Sequence, residues 1–117
     1  MVRAPRRHLL TGTGAFAAVL RAGQRRNGEY LEVIVMAAAR EYGRAGMVIG
    51  RKALPRSVDR NRIRRMLRVV LHRARPAISA FDLIVRLKRG APRPAFPLIV
   101  ADATQLLAKL AAPSGAP

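Results

Sequence analysis

The sequence has no cysteine, only six acidic residues and few aromatic side chains. Without cysteine, the chain can form neither a disulfide framework nor a thiolate zinc site, which agrees with a reducing compartment. A nuclease with two metal ions needs several convergent carboxylates, and a metal-free nuclease usually needs a histidine pair. The acids are instead scattered along the chain: Glu29, Glu32, Glu41, Asp59, Asp82 and Asp102. We therefore expect no catalytic residue, no metal site and no cofactor bound by the protein alone.

Long apolar runs and targeting signals are also missing. No apolar run approaches the length that a membrane span requires, and the basic amino terminus is not followed by the apolar stretch of a signal peptide. Gly-Thr-Gly at 12–14 is too short for a phosphate-binding loop and lacks the lysine. We expect a cytoplasmic protein that does not contact the membrane.

Positive charge is what the chain has in excess. Its 117 residues include 23 basic and 6 acidic ones, which gives a net charge of +17. Half of the 117 residues are hydrophobic. This length suits one compact domain, and so much charge of one sign favours a polyanionic partner, of which nucleic acid is the commonest. We predict a flexible basic arm at 1–8, a single RNA-binding α+β domain at 9–112 and a disordered tail at 113–117.

The stretch from Ser57 to Arg75 predicts one amphipathic helix. Its apolar residues recur at helical spacing: Ile63, Met66, Leu67, Val70, Leu71 and Ala74. Ser57 or Asp59 is a candidate cap at its start, and Pro76 stops it. Arginines on a helix are often only its solvated face, but here acids at the i, i+4 positions are missing and like charges repel, so a polyanion would relieve the repulsion.

The other elements are predicted from local patterns. A helix begins near Thr13, a cap candidate, with half-buried Phe16 on its apolar face, and ends at Gly23. A basic turn, Gln24–Gly28, follows. Strands are expected at Tyr30–Ala37, Met47–Lys52 and Phe81–Lys88, the first two as an antiparallel hairpin and the last two as a β-α-β unit. Gly50 is expected to mark a bulge or a close backbone approach. The inward residues of a final helix, Pro97–Ala112, are expected to be Leu98, Ala101, Leu106, Leu107 and Leu110.

Basic residues of the second strand's end, the next loop and the long helix can form one continuous patch: Arg51, Lys52, Arg56, Arg60, Arg62, Arg64, Arg65 and Arg68. Arginine suits structured RNA because its planar fork grips phosphates and stacks on bases. If roughly six phosphates were neutralised, log affinity would fall with log salt at a slope of about −4 to −5.

The segment from Gly50 to Arg68, centred on Arg60-Asn-Arg-Ile-Arg-Arg65, resembles the signature of the bacterial ribonuclease P protein subunit. The resemblance covers roughly residues 8 to 112. It implies an accessory protein to a catalytic RNA that removes the 5′ leader of precursor tRNA, with Mg²⁺ in the active site of the RNA. The implied partners are ribonuclease P RNA and precursor tRNA. The implied stoichiometry is a free monomer and one protein per RNA.

The resemblance also assigns residues to two RNA surfaces. Those expected to face the catalytic RNA are Arg51, Lys52, Arg56, Arg60, Asn61, Arg62 and Arg65. Those expected to hold the single-stranded leader, in a cleft between the sheet and the first helix, are Phe16, Leu20, Ile34, Arg64 and Arg68. Leu20 and Ile34 stand where many family members have aromatic rings, so base stacking would depend mainly on Phe16.

The fold implied by the resemblance is an α+β, two-layer α/β sandwich in which three helices pack on a mixed sheet of three to four strands. The family is known for a left-handed β-α-β crossover, against the general right-handed rule, in a ribosomal protein S5 domain 2-like fold. The alternative function is a ribosomal or RNA-assembly protein that binds structured RNA without a role in cleavage. Charge and fold alone would suit it equally, and only the block from Arg60 to Arg65 favours ribonuclease P.

Overall fold

The computed structural model describes residues 8–10 and 12–111. The predicted basic arm, apart from His8, and the predicted tail lie outside these residues. Three helices and a four-stranded sheet confirm the α+β class. In chain order the elements are α1 (Thr13–Ala22), β1 (Gln24–Asn27), β2 (Leu31–Ala37), β3 (Ala45–Val48), α2 (Ser57–Arg73), β4 (Phe81–Leu87) and α3 (Phe96–Ala111), with short 3-10 turns at Ala77–Ala80 and Arg93–Ala95.

The strand order is β1-β2-β4-β3, with β2 antiparallel to β1 and β4, and with β3 parallel to β4. The predicted β-α-β unit is therefore present as β3-α2-β4. The predicted hairpin of Tyr30–Ala37 with Met47–Lys52 is wrong, because β4 lies between the corresponding strands β2 and β3. The apolar run Leu83–Val85 is buried on both faces and takes a central place, whereas the short β3 takes the edge.

Two local predictions about the sheet are also wrong. Residues 24–27 form an edge strand rather than a turn, and all four are exposed while their backbone pairs with β2. Gly50 marks neither a bulge nor a close backbone approach, because it follows the end of β3 and a Cβ added to it would meet nothing within 4 Å. Its carbonyl accepts a hydrogen bond from the Leu54 amide at 3.1 Å. Residues 24–27 contain no apolar side chain, so period-two alternation could not reveal this strand.

The two faces of the sheet are covered unequally. The larger core lies between one face and the helices α2 and α3, and includes Val33, Val85, Ile63, Leu67 and Ile99. A smaller cluster on the other face packs under α1 and contains Leu10, Val19, Ile34 and Ile84. The two-layer description therefore fits the larger core, and α1 adds a third layer over part of the second face.

The long helix has the predicted apolar face, with Ile63, Leu67 and Leu71 buried. It ends at Arg73, two residues earlier than predicted and shortly before Pro76. Neither predicted cap is used: Arg56 holds the N-cap position without a side-chain hydrogen bond, and Asp59 pairs with Arg93 instead.

The start of α1 and the inward face of α3 also differ from prediction. Gly12, at φ 90°, holds the cap position of α1 in place of Thr13. In α3, Leu106 and Leu107 are buried as predicted, but Leu98 is 55% exposed and Ala101 is exposed. The inward positions are set by Phe96, with Ile99 and Ala103 following at helical spacing. None of the helices in the described part of the chain combines the length and apolar character that crossing a bilayer needs.

Candidate nucleic-acid interface

The loop after β3 and the first three turns of α2 carry a set of exposed polar residues that is mostly basic. We call it the loop–helix surface, and its members are all exposed: Arg51, Lys52, Arg56, Asn61, Arg62 and Arg65. The loop is tied down at both ends, since the Leu54 side chain is buried and the Leu54 amide bonds the Gly50 carbonyl. These two contacts fix the path of the loop into α2.

The acids of the protein are used elsewhere. Four of them form ion pairs: Glu29 with Arg89, Glu32 with Arg25 and Arg86, Asp59 with Arg93, and Asp82 with Arg44. The carboxylate of Asp102 accepts backbone N–H groups. Within the described residues, no cation of the loop–helix surface has an ion-pair partner. This surface therefore keeps its full positive charge, which attracts a polyanion.

Arg60 and Arg64 each donate hydrogen bonds to another group of the protein. The Nη1 of Arg60 donates to the carbonyl oxygens of Leu54 at 2.9 Å and Pro55 at 2.8 Å. The Nη1 of Arg64 donates to the Asn61 Oδ1 at 3.1 Å. Arg60 thus holds the loop against α2, in addition to any contact it makes with RNA.

The residues predicted to hold the leader do not share one cleft. Phe16 and Leu20 line an open concave surface along α1, and Leu20 is 38% exposed. The Phe16 ring lies over Gly46, where an added Cβ would be 2.6 Å from its Cζ. Ile34 is completely buried beneath α1, so its side chain supports this surface from below and has no area to offer a base.

Of the two arginines in that predicted set, Arg68 lies beside the edge strand β3, whereas Arg64 bonds Asn61 on α2. Arg68 lines a small groove with His8, Leu9 and Met47, on the side of β3 that faces α2. Phe16 lies on the other side of β3, above Gly46. An RNA strand that contacts both Phe16 and Arg68 must therefore pass around this edge.

Two arginines that the sequence interpretation did not single out lie on the α1 face of the sheet. Arg25 of β1 and Arg86 of β4 both donate through Nη1 to the Glu32 Oε1, at 2.7 and 3.2 Å. Their side chains are 47% and 49% exposed, against 10% for that of Glu32. The signal in the sequence was a pair of charged residues, Glu32 and Arg86, inside otherwise apolar strands.

The remaining titratable groups form no obvious reaction centre. The described residues contain no group of three or more histidine, aspartate or glutamate side chains placed to hold a metal ion. Burial lowers the pKa of Arg75 from its usual value. Its guanidinium donates to the Gly43 carbonyl at 2.7 Å and to the Ser79 Oγ at 3.2 Å, so it joins the end of α2 to the loop before β3.

Fold and surface together define a small, basic α+β protein of the RNA-binding class. The family model described as Ribonuclease P matches residues 4–111. The chain is 30% identical over 106 residues to the ribonuclease P protein component of Chromobacterium violaceum, covering 91% of this chain and 88% of that protein. It is 35% identical over 109 residues to that of Acidothermus cellulolyticus, covering 91% and 90%.

Solved structures show the same fold. The ribonuclease P protein of Staphylococcus aureus superposes with a TM-score of 0.72 at 20% identity, covering 94% of this chain and 93% of that one. The protein from Thermotoga maritima gives 0.65 at 22% identity, covering 80% and 89%. The chain belongs to the ribonuclease P protein family. It is the accessory protein subunit of an endoribonuclease of tRNA processing, and the alternative of a ribosomal or assembly protein is set aside.

Proposed function

We propose that the loop–helix surface binds the catalytic RNA of ribonuclease P, and that the surface lined by Phe16 and Leu20 along α1 contacts the 5′ leader of precursor tRNA. The observation that carries the proposal is the separation of charge. The acids pair with arginines of the sheet and the other loops, while the cations of the loop–helix surface stay unpaired within the described residues.

The loop–helix surface suits a folded RNA in two ways. Its arginine forks can bind phosphates in pairs of hydrogen bonds, and releasing counterions from the RNA favours binding. Asn61 adds a neutral group that can donate and accept, which suits a base edge or a 2′-hydroxyl. Arg60 contributes by holding residues 54–55 close to the helix, in addition to facing the RNA.

The leader contact is proposed to depend on Phe16 and Leu20. Stacking of a base on an aromatic ring contributes about 1 to 3 kcal/mol, and Phe16 is the aromatic side chain on this surface. Arg64 and Arg68 would meet RNA that passes around the edge of β3, and Ile34 would act only by supporting α1. With one stacking residue, leader contact is weaker or more electrostatic here than in relatives with more aromatic rings.

The cleavage chemistry is proposed to take place in the RNA, with Mg²⁺ and the attacking water held there. The scattered acids support this division, since five of the six are engaged in ion pairs or backbone contacts. The protein would act in the cytoplasm, as a monomer when free and as one copy per catalytic RNA. The protein would contribute by binding and orienting the RNA.

The test is reconstitution with cognate ribonuclease P RNA and precursor tRNA at low Mg²⁺. The double variant Arg62→Ala/Arg65→Ala is expected to bind the catalytic RNA about tenfold or more weakly, because two unpaired cations are lost. The matched control is Arg40→Ala/Lys109→Ala, which removes two exposed charges outside this surface. Equal weakening by the two double variants would contradict a specific role for the loop–helix surface. Failure of the wild-type protein to stimulate cleavage would refute the proposal as a whole.

A further inference from the structure

The α1 face of the sheet holds a group of three charged residues on three adjacent strands. Glu32 of β2 faces Arg86 of β4 in the strand register, and Arg25 lies on β1 next to Ile34. The same oxygen, Oε1 of Glu32, accepts a hydrogen bond from Nη1 of each arginine. We call Arg25 and Arg86 the arginine pair.

The arginine pair lies next to the surface proposed for the leader. The Nη2 of Arg25 donates to the Leu20 carbonyl oxygen at 3.3 Å, in the last turn of α1. Phe16 is one helical turn before Leu20, so a base stacked on Phe16 has the pair within a few nucleotides of it. The carbonyl end of a helix favours a cation, which further fixes Arg25 at this position.

Exposure separates the two kinds of residue in this group. The Glu32 side chain is 10% exposed, whereas those of Arg25 and Arg86 are 47% and 49% exposed. The carboxylate is therefore beneath the guanidinium groups and out of reach of a ligand, and the arginines cover it. Two cations held by one buried acceptor keep a net positive charge and lose little further side-chain freedom when an anion binds.

We propose that Glu32 is a positioning residue that holds Arg25 and Arg86 as a two-arginine clamp for a phosphate of the single-stranded leader. The inference rests on the proposed leader function and adds to it a second, electrostatic contact beside Phe16. It also accounts for a carboxylate on a surface that faces RNA. Such a charge would only repel the ligand unless it orders the groups that attract it.

The proposal makes an unusual prediction for Glu32→Gln. If the carboxylate acts only through its charge, removing it makes the protein more positive and tightens RNA binding. If it positions the pair, the neutral amide orders the arginines less well and binding of the leader weakens. The two accounts thus differ in the sign of the effect, and Gln keeps the size of the side chain.

The experiment measures the affinity of the reconstituted holoenzyme for precursor tRNA and for mature tRNA. Arg86→Ala is expected to weaken precursor binding about five- to tenfold and Glu32→Gln about two- to fivefold, both with mature tRNA unchanged. In cleavage assays the KM for precursor rises while kcat stays constant. Added to Arg25→Ala/Arg86→Ala, Glu32→Gln should no longer weaken precursor binding, because the groups it positions are gone and only the repulsion of its charge is removed.

Arg40→Ala, which removes an exposed charge outside this face, is the control and should change neither affinity. Thermal unfolding shows whether each variant is folded. If Glu32→Gln does not fold, the affinity of Arg86→Ala still tests the proposal. Tighter precursor binding by Glu32→Gln, or an unchanged affinity in Arg86→Ala, would overturn the clamp while leaving the leader function intact. A wild-type holoenzyme with no preference for precursor over mature tRNA would overturn the leader function itself, and the clamp with it.

Discussion

At the scale of single residues, Asp102 is an acid with a structural role. Its carboxylate accepts the backbone N–H groups of Glu29, Tyr30 and Leu31, at 3.2, 2.9 and 3.0 Å. Gly28 makes the approach possible, because a Cβ at that position would collide with the carboxylate. One side chain of α3 thereby fixes the turn between β1 and β2.

We predict that Asp102→Ala lowers the free energy of unfolding by about 2 kcal/mol, since three backbone donors lose a charged acceptor. Asp102→Asn should cost less, because one oxygen remains to accept. Urea denaturation measures both, with Glu41→Ala as a control that removes an exposed acid from another loop. Equal stability of Asp102→Ala and the control would mean that water satisfies these donors as well as the carboxylate does.

At this scale the sequence predicts the charge of a side chain better than its burial or its contacts within the protein. The unpaired arginines of the loop–helix surface follow from helical spacing and the lack of nearby acids. The internal contact of Arg60 does not, because its acceptors are carbonyl groups in a loop whose path no local pattern defines. The burial of Ile34 likewise depends on where α1 packs, which is a long-range contact.

At the scale of elements, α2 is predicted almost completely, since its apolar face alone determines both structure and orientation. The errors concern β1, β3 and α3. The β1 segment, Gln-Arg-Arg-Asn, has no apolar residue and is a strand only because β2 offers a free edge. The neighbour of β3 is decided by which strand is apolar on both faces. In the first half of α3 the inward positions are Phe96 and Ile99, and Leu98 is exposed.

The packing of α1 on the sheet leads to a prediction about Phe16. Phe16→Leu keeps an apolar side chain over Gly46 but removes the ring, whereas Phe16→Ala removes both. If the ring stacks on a leader base, both variants should reduce the preference for precursor over mature tRNA about fivefold or more. Binding of the two tRNAs to the reconstituted, folded holoenzyme measures this.

Leu98→Ala is the matched control, since it removes an exposed apolar side chain from α3. It should leave the preference unchanged. If Phe16→Leu kept the full preference while Phe16→Ala only lowered stability, Phe16 would be a core residue without a role in leader binding.

At the scale of the whole molecule, charge is sorted by location. A net charge of +17 destabilises a compact chain through self-repulsion. The pairs formed by Glu29, Glu32 and Asp82 neutralise cations of the sheet and its loops, and the pair of Asp59 holds Arg93. The cations of the loop–helix surface are among those that remain without an ion pair in the described part of the chain. A polyanion bound at this surface would relieve the repulsion among them.

This sorting predicts how RNA binding depends on salt. If the wild-type protein neutralises roughly six phosphates, log affinity for the catalytic RNA falls with log salt at a slope of about −4 to −5. Arg62→Ala/Arg65→Ala removes two such contacts, so its slope should be shallower by about 1.5. Arg40→Ala/Lys109→Ala changes net charge equally but removes no proposed contact, so its slope should match that of the wild type. Titrations over a tenfold range of KCl distinguish the cases. Equal slopes for the two double variants, both shallower than that of the wild type, would show that affinity follows total charge and that the loop–helix surface has no specific role.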